Sequence, residues 1–331
     1  MGLPDDKYAR CEIDDSGTIR FSLPSTTFYM TSLPPELHAR MPRVHLQAGR
    51  PVSLPSGMRG NPVVNYTADA DRCSQALRQM SEMVHALGCP AFNHPDAVLR
   101  SGRDGVAQAL AGLPGLQVPR TLRLDANSSA ELVAAIEQAG LRYPLLLRCP
   151  GMHLGATMSR VEGPDGIDAA TFHMPIQQRG VYATEYVDYR DEDGLYRKMR
   201  LVVVGRQVFI RHFVIAKDWL VHVDKRVRID DPEEEALLAG FPGSLPMDVV
   251  GLALQIADRL QLDYFGIDCS PRPDGRLLLF EANAAMDILR RQTSPGFQPR
   301  WDARIDAIRD ALVALLFEPS RWRHAAIASP A

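Results

Sequence analysis

From Phe265 to Asn283 the sequence reads FGIDCSPRPDGRLLLFEAN, and few folds accommodate it. Pro271, Pro273 and Asp274-Gly275 supply the backbone angles of a turn, and proline is poorly suited to a central strand. Centred between Asp274 and Gly275, that turn brings Asp268 opposite Glu281 on antiparallel strands. Like charges facing each other destabilise a sheet, so the pair needs a reason. Side chains alternate along a strand, which puts Asn283 on the face of Glu281. Two carboxylates and an amide oxygen form an all-oxygen set suited to Mg²⁺, which keeps positions for water and phosphate. The competing reading is a solvated hairpin end with two unrelated acids.

A second hairpin is expected over residues 198–215, where strand-like runs flank Gly205-Arg206. A two-residue turn there opposes Arg200 to Arg211, with Lys198 on the same face, whereas a three-residue loop opposes Arg200 to His212. Such a face calls for an anion, unless the hairpin is simply a solvated cationic one. A formal net charge of −3 and a pI near 6.3 give no broad cationic field, so neither nucleic acid nor membrane is expected as a partner, and a small ligand is. The five cysteines are scattered with no Cys-x-x-Cys pair, as for buried thiols in a reducing compartment. The first residues lack a secretory pattern and no run approaches the about 18 apolar residues of a membrane span, so a cytoplasmic location is expected. A homodimer is the default assembly.

With 331 residues, 46% of them hydrophobic, the chain is long enough for two or three domains. Residues 1–60 read as irregular and proline-rich. A helix is expected from Asp69, carrying Cys73, Leu77, Met80, Val84 and Leu87 on one face and ending at Gly88. With a short strand at 62–65 it implies a small α/β unit closing near residue 112. Ser128 and Glu131 form a capping box that opens a helix ending at Gly140, and residues 143–148 read as a buried strand ending on Arg148. Helices follow at 247–260 and 301–316, and the tail from 319 reads as loose.

These residues carry a resemblance. Gly266-Ile267-Asp268, the turn, and Phe280-Glu281-Ala282-Asn283 resemble the metal-binding signature of the ATP-grasp superfamily, nearest its glutathione-synthetase-like and ribosomal-protein-glutamate-ligase-like branch. Residues 144–155 resemble its strand and phosphate-covering loop, residues 184–188 its adenine-holding hinge, and residues 198–205 the strand whose basic residues face the phosphates. The resemblance covers about residues 113–290. It implies a mixed α+β and α/β chain: an N-terminal α/β domain (1–112), a small lid subdomain (113–186), a large subdomain with the metal site (187–318) and the tail (319–331). Two α+β subdomains would grip ATP between them.

By the same resemblance Asp268, Glu281 and Asn283 hold two Mg²⁺ ions, with Mn²⁺ as a substitute, and Arg103, Arg148, His153, Gly155, Glu185, Tyr186, Val187 and Lys198 contact the nucleotide. Arginine stands at 148 where the family usually has lysine, and Arg103 is the candidate for an earlier lysine that is not evident. The implied reaction transfers the γ-phosphate to a carboxylate, giving an acyl phosphate that an amine attacks to form an amide. Arg200 is expected to stabilise the transferring phosphoryl group, Arg211 and Lys217 to bind a carboxylate, and His222 to take a proton from the amine. Trp219, Arg290 and Arg291 lie near that stretch. The expected substrate is an amino acid or peptide. The alternatives are an ATP-grasp kinase and a nucleotide-binding module without catalysis.

Overall fold

The computed structural model describes residues 61–152, 158–228, 231–245, 247–291 and 300–325, with shorter pieces of the first sixty (5, 10–13, 19–22, 33–42, 44, 46, 57 and 60). It is a mixed α+β structure with two principal sheets. One has five strands in the order Gln207–Ala216, Tyr196–Val204, Tyr264–Pro271, Leu277–Asn283, Leu116–Gln117, the last parallel to its neighbour and the others antiparallel. The other has four, in the order Thr121–Leu124, Val181–Glu185, Leu145–Arg148, Ser159–Val161.

Alternation sorts the five-stranded sheet into two faces. Met199, Leu201 and Val203, with Phe265, Ile267 and Cys269, join the core that contains Ala253, Ile256 and Ala257 of helix Val249–Leu260. Val202, Val204 and Tyr264 turn the other way and pack with Ile305, Ile308 and Leu312 of helix Arg300–Leu316. Farther along these two strands, the positions of the second face are Arg200, Lys198 and Asp268. The same face is thus apolar where the helix covers it and charged beyond.

Each flanking hairpin carries a β-bulge beside the charged positions. In the second hairpin Val204 pairs with Gln207, so the turn is the two-residue Gly205-Arg206, with Gly205 at φ +60°. Leu201 pairs with Ile210 and Arg200 with His212, leaving Arg211 as the extra residue. The expected Arg200–Arg211 pairing is therefore corrected to Arg200–His212. In the acidic hairpin Pro271 pairs with Leu277 and Cys269 with Leu279, which centres the turn on Asp274, half a residue from the expected place. The extra Phe280 then restores the pairing of Asp268 with Glu281. One added residue reverses the side-chain parity, which is why Leu277, Leu279 and Ala282 share one core.

Other elements differ from expectation for local reasons. Antiparallel strands Arg10–Ile13 and Ile19–Ser22 and helix Pro35–Arg40 lie in the region read as irregular. The helix expected from Asp69 begins at Ser74, because Asp69 Oδ1 accepts the N–H groups of Asp71 and Arg72, both at 3.0 Å, and holds them in a turn. It ends at Gly88 in the left-handed conformation, and Val63–Val64 pairs in parallel with Ala91–Phe92 across it. Ser128 caps the next helix by accepting the Glu131 N–H at 3.2 Å, but Glu131 reaches back to the N–H of Asn127, one residue earlier than a capping box requires. The tail expected to be loose is packed over 319–325: Trp322 is buried and donates to the Leu315 carbonyl, and the Arg323 N–H donates to Asp263. Among the described residues no helix is long and apolar enough to cross a membrane.

Candidate nucleotide and metal site

Where the second face loses its helical cover, Asp268 is buried against two cations. Its carboxylate accepts from Arg200 through Nε at 2.6 Å and Nη2 at 2.9 Å, and lies 3.3 Å from Lys198 Nζ. Burial opposes the charge, but Arg200 and Lys198 outweigh it and hold the carboxyl well below the usual range. Arg200 also donates to the Asp287 carbonyl at 3.1 Å. His212, on the paired strand, is buried; burial, Arg200 and Arg211 together push its pKa well below the ordinary value, so the ring is neutral.

Across the hairpin, Glu281 meets cations from two other parts of the chain. Arg103, at the start of helix Arg103–Leu110, places Nη2 2.8 Å from Glu281 Oε2. Arg148, the last residue of its strand in the four-stranded sheet, lines the same cavity. Burial opposes the Glu281 charge, yet Arg103 and then Arg148 pull its pKa down to about 2. For Arg148 burial and Arg103 dominate and lower its pKa to about 10. Its guanidinium donates to the Met152 carbonyl.

Asn283 supplies the test of an oxygen-donor site. Its Nδ2 donates to Glu281, while its Oδ1 is buried with no hydrogen-bond partner. An unmet buried acceptor costs about 1–3 kcal/mol, so that oxygen calls for a donor or a cation. With Glu281 two residues back on its strand and Asp268 opposite Glu281, the donor set is all oxygen, as Mg²⁺ requires. Asp268 is the most heavily engaged of the three, since both its oxygens already face Arg200.

Lys198, Arg200, Arg103 and Arg148 thus bring four cations to the carboxylates Asp268 and Glu281, with Asp71 acting on Arg148 and Asp287 on Arg200.

The remaining sequence candidates are placed less centrally. Glu185 ends its strand and is paired with Arg142 at 2.9 Å, and its N–H donates to the Arg120 carbonyl; the Tyr186 N–H donates to the Pro144 carbonyl. Tyr186 carries the Arg160 guanidinium 4.0 Å from its ring centroid, and Val187 packs against the small core formed by Tyr189, Tyr196 and Val214. Arg211, expected to meet a carboxylate, instead donates to the carbonyls of Ile288 and Arg290, because the bulge turns it toward that segment. His222 lies between strand Gln207–Ala216 and the turn Val223–Lys225, and Lys217 is exposed. Trp219 packs its ring edge-on to Tyr186, Arg291 pairs with Asp302 and Asp306, and Arg290 is exposed. His153 and Gly155 lie outside the described residues.

One contributor had no signal in the sequence. Asp71 lines the cavity, accepts from the Tyr182 hydroxyl at 2.6 Å and from the Gly151 N–H at 3.1 Å, and lies 3.4 Å from Arg123. Burial raises its pKa against the pull of Tyr182. It links the N-terminal unit to the four-stranded sheet and to the first residues of the expected covering loop. The spacing Asp69-x-Asp71 reads as a helix start and reveals none of this.

No family model matches the sequence, and no curated protein does. Among solved structures, the chain is similar to carboxyaminoimidazole ribonucleotide synthase from Aspergillus clavatus complexed with ATP, with 18% identity over 75% of this chain and 60% of that one and a TM-score of 0.44. It is similar to the D-alanine–D-alanine ligase from Coxiella burnetii, with 12% identity over 74% and 64% and a TM-score of 0.45. A third is the ATP-grasp ligase PsnB complexed with precursor peptide PsnA2 and AMPPNP, with 17% identity over 73% and 67% and a TM-score of 0.41. The chain spans less than two thirds of the first two. PsnB is an ATP-grasp ligase, and at these identities and TM-scores each of the three stands as a similarity alone.

Proposed function

We propose that the chain is an ATP-dependent ligase of the ATP-grasp kind that joins a carboxylate to an amine, with an amino acid or peptide as substrate. The observation that carries the reading is the convergence of Asp268, Glu281 and the unpartnered Asn283 oxygen with cations from both principal sheets. In this reading residues 113–186 form the lid, 187–318 the metal-bearing subdomain, and 1–112 the domain that precedes them.

Mg²⁺ would be held by Asp268, Glu281 and Asn283 and, when bound, neutralises phosphate oxygens. Arg148 and Arg103 reach the cavity from the lid side and the N-terminal side, and would bind and orient the phosphates. Arg200 and Lys198, fixed by Asp268, present fixed positive charge to the transferring phosphoryl group, so little rearrangement is needed as charge builds up. Glu185, Tyr186 and Val187 would line the adenine side, with His153 and Gly155 in the covering loop. A substrate carboxylate attacks the γ-phosphorus and ADP leaves; an amine then attacks the acyl carbon and phosphate leaves. Arg211 braces the 288–290 segment in this scheme, and His222 is the candidate base for the amine.

Calorimetric titration with a non-hydrolysable ATP analogue, with and without Mg²⁺, tests the site. Mg²⁺-dependent binding is expected in the wild type and weaker binding in Glu281→Ala and Asn283→Ala. Folded wild type that binds no analogue refutes the reading. Hydroxylamine present during turnover separates ligase from kinase, since an acyl phosphate yields a hydroxamate.

A further inference from the structure

A second cluster of metal-ligating side chains lies outside this site, where helix Ser74–Leu87 meets helix Pro95–Leu99. His85, in the last turn of the first helix, places Nε2 3.1 Å from Asp96 Oδ2. His94, the residue before the second helix, is buried and places Nδ1 3.7 Å from the same oxygen. One ligand atom from each of the three residues lies within 4.8 Å of the others. Ligands about 2.0–2.1 Å from a tetrahedral zinc lie roughly 3.3 Å apart, close to both separations to Asp96.

The surroundings prepare these groups. Ser81 Oγ donates to Asp96 Oδ1 at 2.5 Å, orienting the carboxylate and leaving Oδ2 toward the histidines. The Asp96 N–H donates to His94 Nδ1 at 3.2 Å, so an ion would take that lone pair in place of this hydrogen bond. His324 lies against His94 with ring centroids 4.6 Å apart, and its Nε2 is buried without a hydrogen-bond partner.

We propose that His85, His94 and Asp96 form a binding site for a divalent transition ion, zinc by its imidazole and carboxylate donors. The ion would tie the end of helix Ser74–Leu87 to the start of helix Pro95–Leu99, beside the C-terminal segment, where the Ala91 N–H donates to the His324 carbonyl and Phe92 packs edge-on against Trp322. This inference is independent of the nucleotide reading, because none of the three residues lines the cavity beside Glu281.

The test uses full-length protein stripped by a chelator and kept in excess Mg²⁺ so that oxygen-donor sites are filled. Co²⁺ is followed by visible absorption and Zn²⁺ by calorimetry. One equivalent of each is expected to bind, with the intense bands of four-coordinate Co²⁺. His85→Ala is the main variant, because that side chain is 65% exposed and its loss leaves packing intact. It should weaken Zn²⁺ by more than the about 10–100-fold that loss of an outer-shell partner gives, the range expected for Ser81→Ala. Glu281→Ala should leave Zn²⁺ affinity unchanged. Folded wild type that takes up neither ion, or binding that His85→Ala does not weaken, overturns the proposal.

Discussion

Arg197 and Arg200 lie three residues apart on one strand, and both are ion-paired, yet their surroundings differ in stoichiometry. Arg197 meets three acids: Glu233 at 2.6 Å, Asp193 at 2.7 Å and Asp191 at 2.9 Å. Those carboxylates are 22–47% exposed, so the network is partly wet and each member has a substitute. Arg200 shares one buried carboxylate, Asp268, with Lys198. A cation surrounded by surplus acid is a structural tie. Two cations on one acid retain attraction for a further anion, and the strand delivers them where helix Arg300–Leu316 no longer covers the sheet.

The largest expected effect breaks the buried member of this comparison. Asp268→Asn removes the one carboxylate paired with both Arg200 and Lys198, and removing one partner of a buried ion pair typically costs about 3–5 kcal/mol. Urea denaturation should show that loss, while Asp193→Asn, an exposed member of a network with two other acids on Arg197, should lose far less. Equal losses would mean that burial does not distinguish the two arginines.

A packing change probes the same face without touching charge. Gly266 lies between Tyr264 and Asp268 on that face, and an added Cβ would stand 2.3 Å from Met286 Sδ and 3.1 Å from its Cβ and Cγ. Met286 is buried and precedes the residues whose carbonyls Arg200 and Arg211 hold, so it has little room to yield. Gly266→Ala should cost about 1–3 kcal/mol, the usual range for overpacking. It should also weaken binding of the ATP analogue, because Arg200 is tied to the displaced segment. Full affinity in the variant would show that the Arg200–Asp287 contact does not position the cation.

Much of this face could be read in the sequence, because alternation along Tyr196–Val204 and Tyr264–Pro271 is unbroken between those two strands. The bulges at Arg211 and Phe280 could not, since the place of an extra residue is decided by which side chains the two cores accept. The Asp268–Glu281 pairing came out right from a turn centre half a residue off because the Phe280 bulge compensates, whereas the Arg211 bulge defeated the same reasoning on the other hairpin. The role of Asp71 and the pairing of Arg103 with Glu281 were illegible for another reason. Each depends on distant segments packing together, and no local period marks such a residue. Trp322 misled because an exposed-looking tail composition says nothing of the groove it fills.

The smallest expected effect separates two acids whose pKa values fall alike. Glu281 and Asp193 are both lowered to about 2, Glu281 against burial by Arg103 and Arg148, and Asp193 by its hydrogen bonds to Arg197 and the Leu195 N–H. A depressed folded-state pKa contributes stability that is present above the unfolded value and lost as pH falls through the folded one. For Glu281 that window runs from 4.5 down to about 2, so the stability difference between wild type and Glu281→Gln should shrink across it. Salt then distinguishes the two acids. At about 1 M ionic strength the Debye length is about 3 Å, so the exposed Asp193 contribution should be largely screened while the enclosed Glu281 contribution persists. Urea midpoints of wild type, Glu281→Gln and Asp193→Asn, measured at low and high salt across that window, give both quantities. A Glu281 difference that vanishes in salt as fully as that of Asp193 would place Glu281 in water, and its pairing with Arg103 and Arg148 would then be too weak to hold the cavity wall in place.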